Sequence, residues 1–211
     1  HLGIEGVLLM PIHESIHMGY IPNDLFSSRK GYGNSEDEQG RVLNFKNLIN
    51  TLHANGIEVI LDAPINQLST SGPWYQNNPN YFLTDSKPRE GWRIPWNISS
   101  VPSDVWHYDQ ESNHYYYALF GKGLPELDYN NPDLKLKIKE YFLHWSALGV
   151  DGFRIDAAKH LLEGKNNLND RYIPNMLVID ELITSTRTKY PDAKFIMEIW
   201  ANRETIDLYH S

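Results

Sequence analysis

The chain has 211 residues, 41% hydrophobic and 12% aromatic, which is enough to bury a sizeable core and too apolar for a disordered segment. A net charge of −8 with no basic cluster argues against phosphate-backbone recognition, so no nucleic acid is expected as a partner. The absence of cysteine removes disulfide scaffolds and Cys-ligated zinc, and no run nears the roughly 20 apolar residues of a membrane-spanning helix.

In chain order, the apolar run at residues 6–11 predicts a strand that starts with almost no lead-in. Phe45, Leu48, Ile49 and Leu52 fall at helical spacing and predict a helix over 44–54, stopped by Asn55-Gly56. A second strand follows at 58–62. Residues 67–128 then lack any repeating apolar pattern and are rich in Pro, Asn, Ser and aromatics, a length that a short barrel loop does not need. Trp74, Tyr75, Tyr81, Trp92, Trp96, Trp106 and Tyr115-Tyr116-Tyr117 concentrate there. They read either as a small aromatic core, the simpler account for any single residue, or as faces on which sugar rings stack.

After this insert, Asn131 can cap and Pro132 can open a helix over 132–148, with Leu136, Tyr141, Leu143 and Trp145 as its core bulk and Gly149 as its stop. Strands at 150–156 and 194–198 flank a helix at 174–189, and a last helix begins near Glu204. Strand and helix alternate as in a parallel α/β sheet. The strands at 150–156 and 194–198 end on the acids Asp156 and Glu198, and the strand ends of a parallel barrel are where its chemistry sits. A pair of carboxylates there suggests glycosidase chemistry. The duller alternative makes Arg154 and Asp156 a structural ion pair and Glu198 a loop cap.

The stretches Gly152-Phe153-Arg154-Ile155-Asp156-Ala157-Ala158-Lys159-His160 and Phe195-Ile196-Met197-Glu198-Ile199-Trp200 resemble the motifs at the fourth and fifth strands of the α-amylase superfamily of retaining glycoside hydrolases. Asp62-Ala63-Pro64-Ile65-Asn66-Gln67 is similar to that family's third-strand motif, and Leu124-Pro125-Glu126-Leu127-Asp128 to the motif closing its inserted subdomain. Gly19-Tyr20-Ile21-Pro22-Asn23-Asp24 and Tyr32-Gly33 resemble its loop after the second strand. The resemblance implies part of a TIM (β/α)8 barrel, about strands 2 to 5, formed by residues 1–66 and 129–211 with a domain-B-like subdomain at 67–128. It implies that Asp156 is the nucleophile, Glu198 the acid and base, and Arg154 the cation that keeps Asp156 ionised, while Glu198 has a raised pKa. Tyr20, Asp62, Gln67, Lys159, His160 and Trp200 would contact an α-glucan, with Gln67 standing where a histidine is usual. A calcium ion would be held by Asn66, Glu126 and the His160 carbonyl, although aspartate is usual at the Glu126 position. No organic cofactor and no catalytic zinc are expected.

The expected activity is hydrolysis of α-glucosidic bonds in starch or maltodextrin. A transglycosidase, or a non-catalytic module like the ectodomain of amino-acid transporter heavy chains, are the alternatives. Four strands do not close an eight-stranded barrel, and the family's third essential acid would lie beyond Ser211. The chain therefore reads as a fragment, inactive by itself, whose partner is the rest of its own barrel. An extracellular location is expected, since starch-active enzymes are often secreted, with the cytoplasm as the alternative.

Overall fold

A computed structural model of the chain describes residues 3–16, 19–97, 99–164 and 172–209. Its first strand, β1 (Gly6–Leu9), leads through a long loop into helix α1 (Glu38–His53) and strand β2 (Glu58–Ala63). Then come α2 (Pro73–Asn77), β3 (Thr84–Asp85), β4 (Trp106–Asp109), β5 (His114–Tyr117), α3 (Pro132–Ala147), β6 (Gly152–Ile155), α4 (Tyr172–Lys189), β7 (Lys194–Met197) and α5 (Arg203–Leu208). Strands β1, β2, β6 and β7 pair in that order, all parallel.

Helix α1 begins at Glu38, ahead of the predicted residue 44, because the Asp37 carboxylate accepts the Gly40 N–H at 2.7 Å. Asn131 caps α3 as expected, accepting from Asp133 and Leu134, a contact contributing about 1 kcal/mol. The expected core of these helices needs correction at two positions. Leu48 is 45% exposed and Leu136 58% exposed, since each sits on the solvent side of its helix, while Ile49, Tyr141 and Trp145 fill the core.

Side chains alternate along the parallel strands, so the sheet has two unlike faces. Leu61 and Phe153 are fully buried against the helices with Phe195 partly so, and Phe142 of α3 packs on Phe153 and Phe195 at ring distances of 4.8 and 5.5 Å. The opposite face carries Leu8, Ile60, Asp62, Arg154 and Ile196. Asp62 lies opposite Arg154, and Arg154 opposite Ile196, in register. Gly152 permits this spacing: a Cβ built there would lie 2.6 Å from the Lys194 carbonyl oxygen and 2.8 Å from Ile60 Cδ1.

The segment between β2 and α3 is not patternless. Its strands β3, β5 and β4 form an antiparallel sheet over a core of its own, in which Trp92, Trp106 and Tyr117 meet edge-on or tilted at 5.0 to 5.5 Å. The core reading holds for these three aromatics. Backbone bonds from Leu127 N–H to the Asn66 carbonyl (2.9 Å) and from Leu68 N–H to the Pro125 carbonyl (3.2 Å) tie this segment to the end of β2.

Candidate active site

Asp156 and Glu198 each stand one residue past the end of adjacent strands β6 and β7. The ladder continues past both strands, with Asp156 N–H donating to the Ala63 carbonyl (3.2 Å) and Glu198 N–H to the Ile155 carbonyl (3.0 Å). Both acids are two residues beyond the paired Arg154 and Ile196, so alternation puts them on the same sheet face as Arg154. There the two carboxyls are close enough for each to shift the other's pKa.

Arg154 organises the cluster. Its Nη1 bonds Asp62 Oδ2 at 2.5 Å and Asp156 Oδ1 at 3.1 Å, and its Nη2 lies 2.9 Å from Glu198 Oε1. Burial works against its charge, but the Asp62 bond and the three surrounding carboxylates keep it firmly cationic. Burial also pushes Asp156 up to about 7, helped by the Glu198 hydrogen bond and by the charges of Asp62 and Glu198, against the pull of Arg154. Glu198 moves the other way. Burial alone would raise it, but N–H donors from Trp200 (2.8 Å) and Ala157 (3.1 Å), the Asp156 bond and the Arg154 charge together hold it below its ordinary value. These directions, Asp156 raised and Glu198 lowered, run opposite to the expected order of a raised Glu198 and an ionised Asp156. Asp156 is the deeper acid, its side chain 14% exposed against 26% for Glu198, and it faces two other acids.

The remaining expected contacts divide into those at the cavity and those beneath it. Tyr20, Gln67, Lys159, His160 and Trp200 line a cavity of about 570 Å³ together with Arg154, Asp156 and Glu198. Asp62 does not line it. It is buried below, where one oxygen accepts from both the Tyr20 hydroxyl (2.7 Å) and Arg154, so it positions these two groups in place of the substrate contact expected of it. The Tyr20 phenol is pushed up to about 12 by burial and by that bond. Gln67 is buried too, and its amide donates to the Tyr20 carbonyl at 3.3 Å, so it braces the Tyr20 loop. Lys159 Nζ donates to the Trp200 carbonyl, and burial lowers its pKa. The His160 ring is buried and pairs through Nδ1 with Glu163 at 2.5 Å.

Three residues of the site's support carry no signal in a sequence scan. Ala157 adopts the left-handed conformation (φ 47°, ψ 42°), which turns its N–H onto Glu198 Oε2. Asn175, fully buried on α4, donates to the Ala158 carbonyl and accepts from Leu162 N–H, fixing the turn after β6. Glu163 is the buried partner of His160, and only the folded chain brings it near Glu126.

The donor set expected for calcium holds hard oxygens. Asn66 is fully buried, with Oδ1 lacking a hydrogen-bond partner and Nδ2 donating to the His160 carbonyl. Glu126 is buried, and burial plus the neighbouring Glu163 push its carboxyl well above the ordinary range. An amide oxygen and a buried acid that have no hydrogen-bond or ion-pair partner, respectively, among the described residues, together with a main-chain carbonyl, fit calcium chemistry.

The family model for the alpha amylase catalytic domain matches residues 1–209. Among curated proteins, the chain is 30% identical to Alpha-amylase 3 of Dictyoglomus thermophilum over 100% of this chain and 39% of that protein. It is 32% identical to the 4-alpha-glucanotransferase of Thermotoga neapolitana over 98% of this chain and 43% of that protein. Among solved structures, the alpha-amylase from H. orenii superposes with a TM-score of 0.82 at 28% identity, covering 99% of this chain and 41% of that one. The chain spans about two fifths of the length of the proteins it matches. Its four parallel strands are part of a (β/α)8 barrel.

Proposed function

The chain belongs to the α-amylase catalytic-domain family, and from that premise we propose that the protein cleaves α-glucosidic bonds of an α-glucan with retention of anomeric configuration. One observation carries the reading: two carboxyls at adjacent strand tips bind one arginine and face the same cavity. A retaining mechanism needs two such groups roughly 5 Å apart, with a sugar's anomeric carbon between them.

In this reading the one proton held by the acid pair passes to Glu198 as substrate enters, and the Asp156 carboxylate so formed attacks the anomeric carbon. Glu198 protonates the leaving oxygen, and then takes a proton from the water that opens the glycosyl ester. Arg154 holds both acids to the geometry, Asp62 holds Arg154 and Tyr20, and Tyr20 supplies the surface under the ring being cleaved. The substrate class is supported by the alpha-amylase and glucanotransferase relatives. The second of these makes transfer to another sugar the nearest competing outcome, since the same two acids serve both. Calcium would be held by Asn66, Glu126 and the His160 carbonyl, where it would supply a structural brace.

The test is maltooligosaccharide turnover by the full-length protein, with product anomers followed by NMR. The α-anomer should form first, and Asp156→Asn and Glu198→Gln should each cut the rate at least about a thousandfold. Longer oligosaccharides among the products would identify transfer. Failure to turn over any α-glucan would replace this reading with that of a non-catalytic binding module.

A further inference from the structure

Asn175 is a fully buried polar side chain near the start of α4, a helix whose other buried positions include the apolar Val178, Ile179 and Leu182. An amide in such a place costs stability unless its groups are bonded, and here both its nitrogen and its oxygen are. Nδ2 donates to the Ala158 carbonyl (2.5 Å) and to the Tyr209 hydroxyl (2.9 Å), and Oδ1 accepts the Leu162 N–H (3.0 Å). One side chain thus joins α4 to the turn after β6, at two points, and to the end of α5, the helix that follows β7.

The turn it holds is strained. Among the described residues every other positive φ belongs to glycine or asparagine, so Ala157 is where the fold imposes the left-handed form on a side chain that disfavours it. The strain has a product: the Ala157 N–H meets Glu198 Oε2 at 3.1 Å, and the next N–H, of Ala158, donates to the Glu198 main-chain carbonyl at 3.1 Å. Two consecutive N–H groups therefore grip Glu198 at side chain and backbone. Residue 157 gains nothing locally from this conformation, so the restraint comes from outside it, from the Ala158 bond to Glu198 and from Asn175 on the Ala158 carbonyl and the Leu162 N–H. We propose that Asn175 is a positioning residue for general acid catalysis, locking this turn in its left-handed form and so aiming the Glu198 carboxyl at the departing oxygen. A general acid works only within hydrogen-bond reach of the atom it protonates, and a carboxyl free to rotate forfeits much of its effect. The proposal rests on the glycosidase reading above and adds to it a residue that touches neither substrate nor acid.

The test compares kcat/KM of the full-length protein on two substrates. Maltopentaose departs as a sugar oxygen that needs a proton from Glu198, whereas α-maltosyl fluoride departs as fluoride, which needs almost none. Asn175→Ala should lower kcat/KM on maltopentaose about a hundredfold, the scale of general-acid assistance, and on the fluoride by no more than about threefold. Asn175→Ser, too short to span from Ala158 to Tyr209, should show the same split and serves where the alanine variant does not fold. Adding Ala157→Gly to either variant should recover about tenfold on maltopentaose, because glycine takes the left-handed form without restraint. Leu182→Ala, a core truncation two turns along the same helix, should lower Tm and leave the ratio between the two substrates at its wild-type value. That ratio does not depend on the folded fraction, so lost stability alone cannot produce the split. Equal losses on the two substrates, or no recovery with Ala157→Gly, overturn the proposal and leave Asn175 as a brace of α4. A wild type that cleaves neither substrate overturns the glycosidase reading and the proposal with it, while a wild type that cleaves both beside an unmoved ratio overturns the proposal alone.

Discussion

Arg154 places one cation among three acids, at 2.5 Å from Asp62, 3.1 Å from Asp156 and 2.9 Å from Glu198. Full ionisation would leave the cluster with net charge −2 in a partly buried place, so a single retained proton relieves most of the repulsion. The pair shares that proton: burial and the facing acids push Asp156 up to about 7, while its N–H donors and Arg154 hold Glu198 below its ordinary value. A retaining glycosidase also needs its acid pair to carry one proton, and the pair titrates as a unit. As pH rises through about 7 the free protein loses this proton, and with it the source of the leaving group's protonation. As pH falls below the ordinary glutamate range the pair gains a second proton and the nucleophile is silenced. The kcat/KM profile is therefore expected to be bell-shaped, with its alkaline limb near pH 7. A profile still flat at pH 8.5 would show that the pair does not hold the working proton.

At the scale of elements, the acids face each other because β6 and β7 keep their register, and Gly152 is the residue that lets them. A Cβ at this position meets the Lys194 carbonyl oxygen at 2.6 Å, and backbone on a paired strand cannot yield as a side-chain tip does. Gly152→Ala should cost about 1 to 3 kcal/mol of stability. It should also lower kcat more than it raises KM, since spreading the strands moves Asp156 relative to Glu198 while Tyr20, on the loop after β1, stays in place. Wild-type kcat in a destabilised Gly152→Ala protein would mean that the sheet does not set the spacing of the acids. The strand tips were legible in the sequence because a buried parallel strand is a short apolar run, and an acid at its end interrupts the run visibly. The start of α1 was not, since Glu38-Gln39-Gly40-Arg41 has no apolar period and the Asp37 cap alone sets it. Strands β3, β4 and β5 were hidden as well: they are only two to four residues long, and Tyr116 and Tyr117 are both buried in succession, which erases the alternation that reveals a strand. The protonation order was unreadable for a different reason, because depth and the donors from Trp200 and Ala157 exist only after folding.

At the scale of the molecule, the question is what fastens the inserted segment to the barrel, because Trp96 reaches the cavity from one and Glu198 from the other. Part of the fastening is main-chain bonding around Asn66, Leu68 and Leu127. The rest lies at the end of β2, where buried Asn66 donates to the His160 carbonyl of the turn after β6, and buried Glu126 comes in beside the main-chain bond from Leu127 to Asn66. Glu126 is destabilised there as an anion, chiefly by burial and then by Glu163, and Asn66 Oδ1 accepts no hydrogen bond among the described residues. A calcium ion would reverse both costs at once, giving the acid a counter-charge and the amide oxygen a partner, and a ligand bound only by the folded state stabilises it by about 2.7 kcal/mol at a hundredfold excess over Kd. Chelation of the full-length protein should therefore lower Tm by on the order of 5 °C, with recovery on adding calcium but not magnesium, whose smaller shell this side-chain set does not match. Glu126→Gln separates the ion from the fold: it keeps the size of the side chain and relieves the buried charge, so it should abolish the calcium-dependent rise in Tm while leaving the chelated Tm equal to or above that of the wild type. If chelation leaves Tm unmoved, the insert is fastened by its hydrogen bonds and packing alone, and Asn66, Glu126 and His160 are structural neighbours without an ion.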